Sequence, residues 1–128
     1  MFFALLVGHA VLDFALQPTA MAIEKNRHST TPLQKSVPWY YWLSAHALGH
    51  GGAVYVVTNS LALGVLETAV HWLIDFAKCE EWTTIHIDQL LHVISKVAWC
   101  ALIVFGFAGQ LDALIPALGV ARLLGSFA

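Results

Sequence analysis

Ionisable residues recur every four positions inside the apolar stretches of this chain, and no other feature constrains its fold as strongly. The first stretch, Met1 to Gln17, carries His9 and Asp13, with Gln17 one turn further on. The second, Trp39 to Val57, carries His46 and His50; the third, Leu61 to Ala77, carries Glu67, His71 and Asp75. The fourth, Ile85 to Ala108, carries Asp88 and His92. On a helix, a four-residue step stacks side chains on one face, so each stretch predicts a helix with a single polar stripe.

Composition decides what surrounds those helices. Hydrophobic residues make up 59% of the 128 residues and charged residues 11%. Six basic and eight acidic side chains are too few to cover a water-soluble globule, whose charged fraction is typically about 25%. Intrinsic disorder fails on the same count. A net charge of −2 supplies no basic patch, so no nucleic-acid partner is expected. Cys79 and Cys100 are too few for a disulfide framework and read as packing residues. The lipid bilayer is the environment left.

The expected fold is therefore all-α: a four-helix transmembrane bundle over residues 1–109, with a short amphipathic C-terminal tail over 110–128 forming an interfacial helix. Thr58-Asn59-Ser60 is a tight turn that makes the second and third helices antiparallel neighbours. Thr83 or Thr84 is the expected N-cap of the fourth. Glu24 to Pro38 is the longest polar connection, broken by Thr30-Thr31-Pro32. Ala20-Met21-Ala22 resembles a signal cleavage site, but the segment before it has no basic start and is interrupted by His9 and Asp13, so it reads as a permanent helix. Lys25, Arg27, Lys35 and Lys78 fall in the first and third connections, against Arg122 in the tail. The positive-inside rule puts those connections in the cytoplasm and both termini outside. Trp39, Tyr40, Tyr41, Trp42 and Trp82 lie where a cytoplasmic aromatic belt belongs.

With about 1.5 Å of rise per residue, Asp13, His46, His71 and His92 come to a shared depth in the cytoplasmic half, one from each helix. Ionisable groups in hydrocarbon are costly and turn toward the bundle interior. Imidazole and carboxylate together are the ligand types of Zn²⁺, Fe²⁺ or Mn²⁺. His9, Asp13, His46, His50, His71, Asp75, Asp88 and His92 are the candidate ligands, more than one tetrahedral ion needs, so two divalent ions are within reach. A haem-binding bundle is the weaker alternative, since haem takes two axial ligands and little else.

The ordered series His9-x-x-x-Asp13-Phe14-x-x-Gln17, His46-x-x-x-His50, Glu67-x-x-x-His71-x-x-Ile74-Asp75-x-x-Lys78 and Asp88-Gln89-x-x-His92 resembles the small bacterial and phage membrane proteins grouped as domain of unknown function 3307. That resemblance implies a multi-span protein of a bacterial inner membrane and no particular reaction. A looser similarity to membrane-bound metal-dependent hydrolases is an analogy. The expected function is a metal-dependent hydrolase acting on a lipid-linked substrate near the cytoplasmic leaflet, with Glu67 as general base and Lys78 holding an anionic headgroup. Metal-ion or proton transport without covalent chemistry is the alternative.

Overall fold

Helix signals in the sequence translate into seven α-helices in the computed structural model, which describes residues 1–117. Among these residues there is no strand. Helix α1 (Phe2–Ala10) runs directly into a π turn over Val11–Ala15. Two short helices come next, α2 (Thr19–Glu24) leading into the polar connection and α3 (Pro32–Ser36) within it. Three long ones follow: α4 (Trp39–Thr58), α5 (Leu61–Cys79) and α6 (Ile85–Val104). Helix α7 (Phe107–Ala117) closes the described chain.

Local chemistry sets the ends of these helices. Pro32 occupies the first turn of α3, where its missing N–H is not needed. Ser60 accepts from the Leu63 N–H at the start of α5, and Thr84 accepts from the Ile87 N–H at the start of α6. Asn59 ends α4 in the left-handed conformation (φ 54°), which asparagine tolerates better than most residues. The expected turn and the Thr84 cap are both present. The last apolar stretch is interrupted by a turn at Phe105–Gly106, where Gly106 takes φ 79°. Helix α7 thus begins ahead of Gln110 and folds back onto both α5 and α6. The Asp112 Oδ1 accepts the Ala62 N–H at 2.8 Å, satisfying a free donor in the first turn of α5. The rest of the expected tail, including Arg122, lies outside the described residues.

Helices α1, α4, α5 and α6 form a closed ring in which each packs against the next, and α6 returns to α1. The tightest approach is between α4 and α5. A Cβ at Gly51 would overlap the Thr68 hydroxyl and come within 2.5 Å of the Gly64 carbonyl oxygen. By contrast, a Cβ on Gly52 would meet nothing, and one on Gly49 only the end of Leu12 at 3.8 Å. Close packing is therefore the role of Gly51, not of the glycine cluster as a whole.

Polarity is distributed inside out. One end of the ring holds an apolar core of Leu5, Val54, Leu63, Trp99 and Ala108. The other end is filled with buried histidines, carboxylates and lysines. Large apolar side chains such as Phe3, Val56, Val104 and Phe105 are about three-quarters exposed on the outside. Helix α6 is the one described helix both long and apolar enough to cross a membrane. Helices α4 and α5 are long enough, at 20 and 19 residues, but not apolar enough, whereas α6 qualifies although it too carries a polar stripe.

Candidate metal centre

Each polar stripe turns into the ring, as its spacing demands. His9, His46, His50, Glu67, His71, Asp75, Asp88 and His92 are all at most 6% exposed, and the Asp13 side chain is 7% exposed. Asp13 sits in the π turn at the end of α1, a backbone irregularity that often marks functional positions. The Gln17 amide donates to the Asp13 carbonyl at 2.8 Å, so Gln17 holds that turn and stays out of the cluster.

The carboxylate of Asp13 is the focus. Its Oδ1 lies 3.2 Å from His46 Nε2, 3.0 Å from His50 Nε2 and 3.9 Å from His71 Nε2. All four atoms are buried, and none has a hydrogen-bond partner of acceptable geometry among the described residues. Ligands roughly 2.0–2.1 Å from one tetrahedral ion lie roughly 3.3–3.4 Å from one another. The observed separations from Asp13 bracket that value. Four neighbouring lone-pair-bearing atoms without mutual hydrogen bonds are costly alone and suited to a shared cation.

Asp75 lies beside this group. Its Oδ2 faces His46 Nε2 at 3.4 Å and His71 Nε2 at 3.8 Å, while its Oδ1 is 3.3 Å from His92 Nε2. Asp88 Oδ1 is 3.8 Å from the same His92 nitrogen. The rings stack closely, with centroids 3.6 Å apart for His50 and His71 and 4.1 Å for His71 and His92. His9 is at the edge, its Nε2 3.4 Å from Asp13 Oδ2 and 3.2 Å from the Gln89 carbonyl oxygen. Gln89 also donates to Asp13 Oδ2 at 2.9 Å, linking α6 to the π turn. Three sets of potential ligand atoms, each within 4.8 Å of one another, come from these residues: Asp13, His46, His50 and His71; His9, His71 and His92; and Asp75, Asp88 and His92. The eight ligands expected from the sequence are thus brought together at one end of the ring.

Two lysines outside the expected ligand set, Lys96 and Lys25, enter the cluster. Lys96, 1% exposed, binds Glu67 Oε1, and the Trp99 indole N–H donates to Glu67 Oε2 at 2.5 Å. Glu67 Oε1 also faces His71 Nδ1 at 3.4 Å. Lys25, 4% exposed, reaches in from the polar connection to Asp75 Oδ2 at 2.5 Å. Lys78 is half-buried on the last turn of α5, and the ammonium that touches the cluster at that end is Lys25 instead. Lys96 had a visible signal, since it continues the Asp88–His92 stripe by one more step of four. Lys25 had none.

The polar connection is tied down over this end. The Gln34 amide donates to the carbonyls of Glu24 and Asn26, and Thr31 donates to the buried Glu24 carboxylate. Arg27 and His28 both contact Glu80, at 2.5 and 3.1 Å. Desolvation pushes the Glu80 carboxyl up, but Arg27 and His28 more than reverse this and hold it below its ordinary value. His28 and His86 are exposed and belong to none of the three ligand sets.

Four carboxylates (Asp13, Glu67, Asp75 and Asp88) face two ammoniums (Lys25 and Lys96) inside the ring. With neutral imidazoles, two negative charges remain to be balanced. No curated protein and no solved structure matches the chain. The model of a family described as a protein of unknown function (DUF3307) matches residues 1–116 and so takes in the whole cluster; the chain belongs to that family.

Proposed function

We propose that this chain is an integral membrane metalloprotein, and specifically a metal-dependent hydrolase acting on a lipid-linked or amphipathic substrate near the cytoplasmic leaflet. The observation that carries the reading is the group formed by Asp13 Oδ1 and the Nε2 atoms of His46, His50 and His71: four buried ligand-type atoms, close together, with no hydrogen bonds among them. Proteins rarely leave four such atoms unsatisfied in one place. A Zn²⁺, Fe²⁺ or Mn²⁺ ion would satisfy all four and offset the excess negative charge.

The membrane part of the proposal rests on the inside-out polarity and on α6. In this reading α1 with its π turn, α4, α5 and α6 all span the bilayer, with α2 and α3 on the cytoplasmic side and both termini outside. The polar end of the ring then lies in the cytoplasmic half, beneath the connection that carries Lys25. Its opposite end is an apolar core, which favours a site reached from one side over a path across the membrane.

A bound divalent ion supplies Lewis acidity and an activated water nucleophile. The chain's own residues would then divide the remaining work. Glu67, whose oxygens are engaged by Lys96 and Trp99, faces His71 Nδ1 at 3.4 Å and would steady that ring from outside the ligand set; such outer carboxylates commonly fix the tautomer of a ligating histidine. Lys25, which reaches in from the connection over this end and pairs with Asp75, would meet an anionic group on the substrate once released from that pair. Elemental analysis of protein purified without chelators tests the reading. Stoichiometric metal is expected in the wild type and in His86→Ala, with a steep loss in His71→Ala. Metal-free wild type that also shows no tight site for Zn²⁺, Fe²⁺ or Mn²⁺ would overturn it and leave a hydrogen-bonded core or proton path.

A further inference from the structure

The ligand atoms of the cluster fall into more than one group. The first is the Asp13–His46–His50–His71 set. The second comprises Asp75, Asp88 and His92, all at most 2% exposed, and draws on no residue of the first. Asp88 Oδ1 is buried, has no hydrogen-bond partner among the described residues, and lies 3.8 Å from His92 Nε2. A bare carboxylate oxygen beside an imidazole nitrogen, deep in the ring, is the arrangement a cation would complete. Asp75 stands between the groups: Oδ2 faces His46 and His71 and holds the Lys25 ammonium at 2.5 Å, and Oδ1 is hydrogen-bonded to His92 Nε2 at 3.3 Å. A carboxylate with one oxygen toward each of two ligand sets can serve paired ions roughly 3.5–4 Å apart, the first ion taking the place of the Lys25 ammonium on Oδ2.

We infer that the site holds two divalent cations, the first on Asp13, His46, His50 and His71, the second on Asp75, Asp88 and His92, with Asp75 spanning them. This inference rests on the metal-centre reading above and adds to it a stoichiometry and a substrate class. One dication already balances the two excess negative charges. A second leaves the centre with two positive charges, so the fully loaded site takes an oxyanion, of which inorganic phosphate is the simplest probe. Lys25, displaced from Asp75 by the bound ions, would add to that preference.

The experiment uses the full chain in detergent, stripped with chelator and titrated with Mn²⁺. The expected result is two Mn²⁺ per chain, with the altered electron paramagnetic resonance spectrum of a spin-coupled pair. Asp88→Asn keeps the shape of the side chain and removes its charge. It should bind one Mn²⁺ with an uncoupled spectrum, and the retained ion reports that the variant is folded. Phosphate should be retained by the two-ion wild type and at least tenfold more weakly by Asp88→Asn. One Mn²⁺ per wild-type chain overturns the inference and leaves the metal-centre reading standing; none overturns both. Two ions with no phosphate binding would overturn the substrate class. That count is taken on the wild type, so it stands even if Asp88→Asn fails to fold.

Discussion

The two ends of the helical ring are built on opposite principles. At one end Leu5, Val54, Leu63, Trp99 and Ala108 meet through shape alone. At the other, His9, Asp13, His46, His50, His71, Asp75, Asp88, His92, Lys25, Lys96 and Glu67 depend on each other's charges and lone pairs. Apolar contacts weaken in proportion to what is removed, because dispersion and burial are sums of many small terms. A buried polar network fails in larger steps, since each deleted partner strands another group in a low-dielectric interior. Trp99 joins the two: its ring packs in the apolar core, and its indole N–H donates to Glu67.

That contrast can be broken most sharply at Lys96. Lys96→Met should strand the fully buried Glu67 and cost roughly 3–5 kcal/mol, the usual loss when one partner of a buried ion pair is removed. Adding Glu67→Gln should recover most of it, and thermal unfolding of both variants in detergent measures the difference. A double variant no more stable than Lys96→Met alone would mean that the network does not behave as a charge-coupled unit. At the apolar end, Leu63→Ala should cost about 2–3 kcal/mol, toward the lower part of the range for such deletions, and leave the metal content unchanged. Metal lost from a folded Leu63→Ala protein would show that the two ends are not separable. The smallest effect tests packing between α4 and α5. Gly51→Ala should destabilise by about 1–3 kcal/mol because its Cβ has nowhere to go. Gly52→Ala, facing open space, should stabilise by about 0.5–1 kcal/mol through helix propensity. Equal melting temperatures for the two alanine variants would contradict the close approach.

Much of the site was legible because helical periodicity is local. Four-residue spacing put His46 with His50, and Glu67 with His71 and Asp75, on shared faces whatever their neighbours were. Glu67 was legible as a member of the cluster but not in its disposition. The sequence suggested a free general base, whereas the structure surrounds its carboxylate with Lys96, Trp99 and His71. The π turn at Asp13 was not foreseen either, since a continuous apolar run carries no mark of one extra residue in a turn.

Sequence alone determined the four main helical stretches, the tight turn at Thr58-Asn59-Ser60, a threonine cap at the start of α6, and the inward polar stripes. Those follow from backbone sterics, hydrogen bonding within a few residues, and the cost of leaving charge in an apolar setting. Tertiary structure decided which stripe faces which, and therefore that Asp13 Oδ1 meets three imidazoles from two other helices. It also brought Lys25 to Asp75 across 50 residues and Asp112 to the Ala62 N–H across another 50. Neither contact has a periodic trace, because a side chain arriving from a connection or a packed neighbour is placed by the path of the whole chain. Only the closed ring of α1, α4, α5 and α6 turns four separately legible stripes into one cluster of ligand atoms.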